Sequence, residues 1–479
     1  MKKRRTKIVA TLGPASSTPE SIEQLLLAGL DVARLNFSHG TADEHRQRVQ
    51  MLREISARLG LHTAIMGDLQ GPKIRIARFR DIQVTLEKGQ PFTLSNIHPS
   101  EEGNERVVGI DYPSLVQDCR PGDELLLDDG RVVLQVEHVD EHAVHTQVVV
   151  GGPLSNNKGI NRRGGGISAP SLTEKDHADI RLAAELEVDY VAVSFPRYGS
   201  DIETARQLVR AAGSPAWLIA KIERAEAVAD DAALDSLIQA SDGVMVACGD
   251  LGVEVGDARL VGIQKRIIQH ARHQNKLVIT ATQMMESMIA SPLPTRAEVS
   301  DVANAVLDHT DAVMLSGETA SGKYPVEAVA AMARIAQGAE QEPSTTRSQH
   351  RVGQSFERCD ETIALAVMYA ANHFKGVKAI VSLTETGVTP LIMSRIRSAV
   401  PIYCFTPHPV TQRRASMIRG VYPVPFDPAA YPPTKVSQAA IRVLKSQGVV
   451  ARDDWVLLTK GDSSHQLGGT NTMKIIKVE

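Results

Sequence analysis

The sequence predicts an α/β protein with three units: a TIM (β/α)8 barrel, a β-barrel lid domain inserted into it, and a C-terminal doubly wound α/β domain. Short β-branched runs recur with amphipathic helical stretches between them, which is typical of parallel β-α units. Polar residues gather where these runs end, which is where barrel enzymes place their chemistry. About 120 residues separate the third run from the fourth, far more than a loop needs.

The barrel is predicted from eight β-branched runs, each followed by a helical stretch. They cover residues 7–13, 32–38, 63–69, 190–195, 217–223, 243–250, 277–283 and 312–318. Eight parallel strands with intervening helices are what a TIM barrel requires. We therefore assign residues 1–69 and 167–340 to the barrel, whose last helix ends near Ala339.

The inserted segment, residues 70–166, has a β-like pattern. Alternating apolar runs at 83–86 and 131–136 predict strands, and Asp-Asp-Gly at 128–130 predicts a tight turn between strands. The segment leaves at Gly-Pro (71–72) and returns through Arg-Gly-Gly-Gly (163–166). Flexible hinges at the mouth of a barrel favour a mobile lid that excludes water. A static β domain is the alternative.

The sequence pattern of residues 355–479 predicts a third unit, which follows a polar linker at 341–354. Its predicted strands alternate with helices and cover residues 378–383, 401–405, 421–426, 455–459 and 473–478. The segment 384–389 lies between the first strand and the next helix. Hydroxyl groups and a glycine at that place can hold a phosphate, with helix N-capping as the alternative role.

Lys221 and Glu223 end the fifth run and carry the sharpest chemical signal. Because side chains alternate along a strand, both point to the same side. Asp250 ends the neighbouring run, so two carboxylates and one ammonium group meet at one edge, a set that suits a divalent cation and a phosphorylated acid. An isolated Lys-x-Glu is more often a structural ion pair. Polar residues end other runs as well: Arg34, Asn36, Ser38, Asp68, Thr282, Ser316 and Glu318.

Composition excludes several classes of protein. The chain has 53 basic and 56 acidic residues and a net charge of −3, which indicates no nucleic-acid partner. The apolar stretch after the basic N-terminus is too short for a signal peptide, and no run is long enough to span a membrane. We expect the basic cluster Arg413, Arg414 and Arg419 to be a solvated helix face.

The four cysteines are Cys119, Cys248, Cys359 and Cys404. They stand far apart and form no C-x-x-C motif, so neither a zinc cluster nor a disulfide framework is indicated. A cytoplasmic location is expected.

Eight segments, in this order and spacing, resemble the pyruvate kinase family across essentially the whole chain. They are Lys-Ile-Val-Ala-Thr-Leu-Gly-Pro at 7–14, Arg-Leu-Asn-Phe-Ser-His-Gly at 34–40, Asp-Leu-Gln-Gly-Pro-Lys-Ile-Arg at 68–75, Asn-Lys-Gly-Ile-Asn at 157–161, Lys-Ile-Glu at 221–223, Gly-Asp-Leu-Gly-Val-Glu at 249–254, Thr-Ala-Thr-Gln-Met-Met-Glu-Ser at 280–287 and Met-Leu-Ser-Gly-Glu-Thr at 314–319. The resemblance implies a glycolytic enzyme that transfers the phosphoryl group of phosphoenolpyruvate to ADP, giving pyruvate and ATP. It also implies Mg²⁺, replaceable by Mn²⁺, a phosphorylated allosteric effector and a homotetramer.

The resemblance also assigns roles to residues. Glu223 and Asp250 match the Mg²⁺ ligands, and the backbone N–H groups of Gly249 and Asp250 match a cradle for the substrate carboxylate. Lys221 matches the cation beside the phosphoryl group, and Thr282 matches the threonine that helps protonate the enolate through water. Arg34 and Arg75 are suited to clamp phosphate oxygens. The positions near the nucleotide are Asn36, His39, Arg75 and Lys158. The candidate effector positions are Thr384, Glu385, Thr386, Gly387 and Thr389.

Lys73 departs from the potassium-dependent members of the family. Such members hold K⁺ with oxygens that match Asn36, Ser38, Asp68 and the carbonyl of Leu69, and they carry a glutamate where this chain has Lys73. A tethered ammonium group can supply the charge that a bound K⁺ otherwise brings. The resemblance therefore implies activity without K⁺, with a solvent-facing lysine as the alternative.

Two further features distinguish this chain. The usual Ala-Arg-Gly-Asp of the family is here Ala-Cys-Gly-Asp at 247–250, so Cys248 is either an oxidation-sensitive thiol or a buried, inert one. The loop 461–469 has only Lys460 and His465 as nearby basic residues, which favours a monophosphate effector, a sugar phosphate or AMP, over fructose 1,6-bisphosphate.

Two other functions compete with the kinase. Another metal-dependent barrel enzyme acting on pyruvate or phosphoenolpyruvate, such as an aldolase, would share the carboxylates but would not need Lys221, Arg75 and a lid together. An inactive relative that only senses phosphorylated metabolites is the third reading, and Cys248 is its sole support.

Overall fold

Eight parallel strands close into a barrel, as the sequence predicts. The structure is a computed structural model that describes residues 3–346, 353–462 and 469–479. The chain enters the barrel through five elements: β1 (Lys7–Leu12), α1 (Pro19–Ala28), β2 (Val32–Asn36), α2 (Ala42–Leu59) and β3 (Ala64–Asp68). Both helices begin at a threonine, Thr18 or Thr41, whose hydroxyl accepts the hydrogen bond of a free backbone N–H.

The inserted domain follows β3 and is almost entirely β. Its elements are β4 (Gln83–Leu86), β5 (Pro91–Ser95), β6 (Val107–Gly109), α3 (Leu115–Asp118), β7 (Glu124–Leu127), β8 (Val132–Val139), β9 (Ala143–Val150), β10 (Gly152–Ser155) and β11 (Ile160–Arg162). They form a six-stranded sheet and a two-stranded sheet around one apolar core. The predicted turn joins β7 to β8, where Asp128 and Asp129 have φ of 50° and 55°. Aspartate tolerates this left-handed backbone better than most residues.

The remaining barrel strands and their helices follow the insertion. They are α4 (Glu174–Glu185), β12 (Tyr190–Val193), α5 (Gly199–Ala211), β13 (Trp217–Ile222), α6 (Asp231–Ala240), β14 (Gly243–Ala247), α7 (Cys248–Val255), α8 (Asp257–His273), β15 (Leu277–Ala281), α9 (Arg296–Leu307), β16 (Ala312–Leu315), α10 (Gly317–Ala320) and α11 (Pro325–Ala339). The strand order around the barrel is β1-β16-β15-β14-β13-β12-β3-β2. The carboxyl ends of the strands therefore share one mouth, where the predicted site residues stand.

The C-terminal unit is a five-stranded sheet with helices. Its elements are α12 (Cys359–His373), β17 (Val377–Leu383), α13 (Val388–Ser394), β18 (Ile402–Thr406), α14 (Pro409–Ala415), β19 (Val421–Pro425), α15 (Val436–Ser446), β20 (Trp455–Gly461) and β21 (Thr470–Lys477). The order is β19-β18-β17-β20-β21. The last strand departs from the parallel order of the other four, because β21 pairs antiparallel with β20. β21 lies at the edge of the sheet, and all of its residues except Thr470 are at least partly exposed.

The C-terminal unit packs against the amino-terminal mouth of the barrel. Buried side chains inside the barrel, such as Tyr190, belong to the same apolar cluster as side chains of this unit, such as Met417. The hydroxyl of Tyr190 also donates to the carbonyl of Arg414 at 2.7 Å. One continuous core therefore joins the two units. Every helix within the described residues is too short or too polar to cross a lipid bilayer.

The basic cluster Arg413, Arg414 and Arg419 is not the solvated face that the sequence predicts. Arg413 pairs with the fully buried carboxylate of Asp189 at 2.8 Å, and Arg414 lies over the ring of Trp217 at 5.3 Å. Arg419 is 8% exposed. The prediction failed because it treated the helix alone, whereas this face lies against the barrel floor.

We predict that Asp311→Asn destabilises the protein strongly. The carboxylate of Asp311 is fully buried and pairs with Arg395, whose side chain is 1% exposed, so the variant leaves a buried charge without its partner. The expected loss is about 3–5 kcal/mol in the free energy of unfolding, measured by urea titration. Glu185→Gln is the matched control, since Glu185 pairs with Arg46 on the surface. Equal losses in both variants would contradict the prediction.

Candidate active site

Lys221 is held at the carboxyl mouth of the barrel by three acceptors. Its Nζ donates to the Ser194 hydroxyl at 2.7 Å and lies 3.1 Å from Glu223 Oε1 and 3.3 Å from Asp68 Oδ1. The predicted alternation along β13 is confirmed, because Lys221 and Glu223 meet on one side of the strand. The ammonium group is thus fixed in position, and its side chain is 13% exposed.

Asp68 joins Lys221 to a second cation, Arg34. Parallel pairing of β2 with β3 sets Asn36 opposite Asp68, which places Arg34 beside the same carboxylate. Arg34 Nε donates to Asp68 Oδ2 at 2.6 Å, and its Nη1 donates to the hydroxyl of Thr11 at 2.9 Å. One buried acid therefore orients two cations that project from different strands.

The charges of this set shift one another's pKa values. Burial alone would raise the pKa of Asp68, but Lys221 and Arg34 outweigh it and the pKa is lowered. Burial would likewise lower the pKa of Lys221, but Asp68 and Glu223 raise it above its ordinary value. Lys221 and Asp68 are therefore both charged at neutral pH.

The second carboxylate, Asp250, faces a lysine that follows β3. It lies in α7, directly after β14, and its Oδ1 accepts from Lys73 Nζ at 3.0 Å. Burial raises the pKa of Glu223, Lys221 lowers it and Asp250 raises it again, so the two carboxylates lie close enough to interact. Lys73 is 24% exposed and faces this site, contrary to the alternative of a solvent-facing lysine.

These carboxylates form an incomplete ligand set for a metal ion. Within the described residues, no group of three or more His, Cys, Asp or Glu side chains is arranged to hold a metal. Glu223 and Asp250 fit Mg²⁺ nonetheless, because that ion usually takes one or two carboxylates and completes its shell with water and substrate phosphates.

Thr282 and Gly249 meet at the same mouth. Thr282 has φ of 69°, a left-handed conformation that a β-branched residue rarely adopts. Its Oγ1 accepts the N–H of Gly249 at 2.9 Å, which leaves its own O–H free to donate. The expected carboxylate cradle at Gly249 and Asp250 is therefore partly closed, since the Gly249 N–H already has a protein partner. A strained residue at a strand end is typical of functional sites.

Of the residues expected near the nucleotide, Arg75 and Lys158 lie in the inserted domain, Asn36 ends β2 and His39 follows it. Arg75 Nη1 donates to the carbonyl of Asn157 at 2.9 Å, and Lys158 Nζ pairs with Asp128 Oδ1 at 2.7 Å. His39 is exposed, and the side-chain oxygen of Asn36 accepts the N–H of Ser38 at 3.2 Å. The structure thus brings Arg34, Lys73, Lys221, Glu223 and Asp250 together, whereas the partners of Arg75 and Lys158 lie in the inserted domain.

The oxygens that match the potassium site are engaged by protein groups. The Leu69 carbonyl accepts from the Ser194 hydroxyl at 2.7 Å. Asp68 is shared by two cations, as described above. Asp68 Oδ1 is buried without a hydrogen-bond partner, although Lys221 lies 3.3 Å away.

Sequence reasoning missed Glu254, which ties the site to the inserted domain. One oxygen accepts from Arg224 at 3.1 Å and from Asn161 at 3.3 Å, and the other accepts the Ala225 N–H at 2.8 Å. Glu254 also accepts, through its carbonyl, the Gly164 N–H at 3.0 Å. The segment 249–254 contained this residue, but a lone glutamate inside a helix gives no signal of buried pairing.

Cys248 is a partly buried thiol that packs between helices. Its Sγ donates to Gln264 Oε1 at 3.1 Å, across from α7 to α8. Burial is the main cause that raises the pKa of this thiol to about 11, and Asp301 adds to it. The inert thiol is therefore the better interpretation, since no cation depresses the pKa.

The candidate effector segment has local partners. The Thr384 hydroxyl accepts the Gly387 N–H at 3.1 Å, and Thr389, which is 4% exposed, bonds the Thr470 hydroxyl at 2.8 Å. Glu385 pairs with His408 at 2.5 Å. Thr386 is half-buried and lines a surface pocket together with Glu385. The predicted basic residue His465 lies outside the described residues.

The chain is similar to known proteins along its whole length. A family model described as "Pyruvate kinase, barrel domain" matches residues 3–329, and one described as "Pyruvate kinase, alpha/beta domain" matches residues 361–476. "Pyruvate kinase II" of Salmonella typhimurium is 55% identical over 476 residues, covering 99% of both chains. "Pyruvate kinase" of Haemophilus influenzae is 54% identical and covers 96% of both chains, and that of Geobacillus stearothermophilus is 41% identical over 99% of this chain and 80% of its own.

We predict that Cys359 is the fast-reacting thiol of the native protein. It is exposed, whereas burial raises the pKa of Cys119 and of Cys404 to about 12. With a pKa of about 11, Cys248 is ionised in about one molecule in a thousand at pH 8. When the native protein reacts with a chromogenic aromatic disulfide, about one equivalent of coloured thiolate per chain should be released rapidly. Cys359→Ser should abolish this rapid release. Rapid labelling of Cys248 would contradict this.

Proposed function

This chain belongs to the pyruvate kinase family and is a glycolytic enzyme that moves the phosphoryl group of phosphoenolpyruvate to ADP, giving pyruvate and ATP; we propose that the charged set around Lys221 is the place of that transfer. The observation that carries the proposal is the fixed ammonium group, bound by Ser194, Asp68 and Glu223 at 2.7, 3.3 and 3.1 Å. Positive groups that are already oriented stabilise charge on a transferring phosphoryl group without reorganisation.

Lys221 and Arg34 act on the phosphoryl oxygens in this proposal. Both are anchored through Asp68, so their relative position is set before substrate binds. A guanidinium group binds phosphate oxygens through two parallel N–H groups, and an ammonium group acts as a point charge. Arg34 still has donor capacity, because two of its nitrogens are used by Asp68 and Thr11.

Glu223 and Asp250 would hold Mg²⁺. The ion, when bound, neutralises phosphate charge and draws substrate oxygens into its coordination shell. Glu223 is fixed for this by the Phe195 N–H, which donates to its Oε2 at 2.9 Å. Mn²⁺ would suit the same oxygen ligands.

Thr282 would deliver a proton to the enolate that transfer leaves behind. Its hydroxyl accepts from Gly249, so its own hydrogen is available to a water molecule in the site. A hydroxyl is a weak acid, and a relay through water therefore suits it better than direct transfer. The substrate carboxylate would bind at the N–H groups of Gly249 and Asp250, where it would compete with the Thr282 oxygen.

The inserted domain would bring Arg75 and Lys158 to the nucleotide, with Asn36 and His39 on the barrel side. Arg75 and Lys158 are both partly exposed, and their partners are a carbonyl and a single carboxylate that ADP phosphates can replace. Closure of the inserted domain would add these cations to the site and exclude water. Its proposed bounds are 70–166, between barrel segments 1–69 and 167–340.

The proposal extends to regulation and assembly. A phosphate monoester would bind the segment of Thr384, Glu385, Thr386, Gly387 and Thr389 in the unit 355–479. The alternative role of this segment is local, at the start of α13, where the Thr384 hydroxyl accepts the Gly387 N–H. The family further suggests a homotetramer in the cytoplasm.

We predict that Lys221→Met lowers kcat by about 10²–10³-fold in an assay with phosphoenolpyruvate, ADP and Mg²⁺ coupled to pyruvate reduction. The wild type should form pyruvate at a rate that depends on all three. Lys445→Met is the matched control, because Lys445 is exposed on α15 and should leave the rate unchanged. A Lys221 variant with wild-type kcat would overturn the assignment of the site.

We predict that the wild type works equally well in Na⁺ and K⁺ and that Lys73→Glu creates a requirement for K⁺. Lys73 Nζ lies 3.0 Å from Asp250, so its charge is delivered at the proposed metal site. The variant should lose at least about tenfold in Na⁺, equivalent to about 1.4 kcal/mol, and recover in K⁺.

Lys88→Glu makes the same charge change at an exposed position of the inserted domain. It should show no response to K⁺. Equal activity of Lys73→Glu in both salts, or a wild type that needs K⁺, would refute the tethered-charge explanation.

A further inference from the structure

A cavity between the barrel floor and the C-terminal unit is lined by cations. Four arginines and a histidine reach it: Arg5, Arg272, Arg397, Arg419 and His309. Arg5, Arg272 and His309 come from the barrel, whereas Arg397 and Arg419 come from the loops that precede β18 and β19. No carboxylate stands among the described residues that line it.

The positive charge of this cavity is only partly compensated, by Glu340 and Asp311, whose charges raise the pKa of Arg419. Arg5 pairs with Glu340 at 3.7 Å, and the nearby acid Asp311 is committed to Arg395. Within the described residues no ion pair is formed by Arg272, Arg397 or Arg419. Residues 347–352, which the structure does not describe, read Arg-Ser-Gln-His-Arg-Val and contain no acid.

Three buried nitrogen atoms of the lining have no hydrogen-bond partner. They are Arg419 Nη2, Arg397 Nε and His309 Nδ1. Arg419 is 8% exposed and His309 is 4% exposed. Buried polar atoms are almost always satisfied, so a group of three around one cavity indicates a missing partner. Water molecules could form hydrogen bonds with all three atoms, but they would leave the excess positive charge in place.

The pKa values support an anion as that partner. Burial, then Arg395 and Arg397, lower the pKa of Arg272 to about 9, and burial lowers that of Arg419 to about 10. Burial and Arg272 lower the pKa of His309 to about 2. A negative charge in the cavity would raise all three.

The size of the cavity restricts the ligand. It encloses about 30 Å³, whereas sites for larger metabolites enclose about 300–1,000 Å³. A small ligand therefore fits this cavity better than a nucleotide or a sugar phosphate does. Guanidinium groups match the oxygens of phosphate and sulfate through paired N–H groups, and several converge here from different directions.

We propose that this cavity binds a small inorganic oxyanion, inorganic phosphate in the first place, which bridges the barrel floor to the C-terminal unit. The anion accepts from Arg397 and Arg419 on one side and from Arg272 on the other. It neutralises the repulsion between arginines that the two units bring together, and its binding therefore stabilises their association. The site is separate from the proposed phosphoryl site, which lies at the opposite mouth of the barrel.

Thermal unfolding of the full chain tests the proposal, with millimolar phosphate or sulfate compared with chloride at equal ionic strength. The wild type should show a saturable rise in Tm of about 2–4 °C with either oxyanion. Arg397→Gln should lose this rise, while its Tm in chloride stays equal to that of the wild type or exceeds it, because one repelling charge is gone. Arg442→Gln, an exposed position on α15, should keep the rise.

Three outcomes would overturn the proposal. A rise that increases linearly with concentration and is equal in all variants is a general salt effect. A rise that is lost in Lys221→Met and kept in Arg397→Gln belongs to the phosphoryl site. Arg397→Gln could also lower the Tm in every buffer and still keep the rise with oxyanion. Arg397 would then have only a structural role, through its hydrogen bond to the Ser344 carbonyl.

A measurement on the wild type alone keeps the test independent of any variant. Crystals grown with selenate in place of phosphate should give an anomalous selenium peak between Arg397 and Arg419. A cavity without that peak, at a selenate concentration that saturates the Tm rise, would refute the site.

Discussion

The active-site mouth depends on one buried carboxylate, that of Asp68. Its side chain is 1% exposed and is shared by Arg34 at 2.6 Å and Lys221 at 3.3 Å. Two cations buried so deeply need an acid between them, because an unpaired buried charge costs several kcal/mol. The acid also sets the direction of both side chains. Strands β2 and β13 thus bring to the mouth a pair of positive groups whose geometry is fixed in advance by Asp68 at the end of β3.

The same principle explains why the inserted domain and the barrel behave as one site. Lys73 follows β3 into the insertion and pairs with Asp250 in α7, and Glu254 at the other end of α7 accepts from Asn161 on β11. Helix α7 therefore connects to both ends of the inserted segment. A change in the position of that domain therefore acts on the helix that carries Asp250.

The two ends of the barrel differ in how their charges are balanced. At the carboxyl mouth, Arg34, Lys73 and Lys221 face Asp68, Glu223 and Asp250, so cations and acids are equal in number. At the amino mouth, arginines outnumber the acids that could pair with them. A balanced set has its charges paired within the protein, whereas an excess of one sign is stabilised further when an ion of the other sign binds. The floor of the barrel is therefore the place where a counter-ion adds most to stability.

Strand periodicity and chain order were sufficient for most of the architecture. The eight barrel strands, the β insertion and the pairing of Lys221 with Glu223 on one face follow from patterns of two and 3.6 residues, which are local properties of the sequence. The antiparallel β21, the buried Arg419 and the half-buried Arg413 and Arg414 did not follow. A helix face that is rich in arginine looks the same whether water or another unit covers it. Which distant charges meet is decided only when the barrel closes and the C-terminal unit packs on its floor, because burial then determines which of them must find partners.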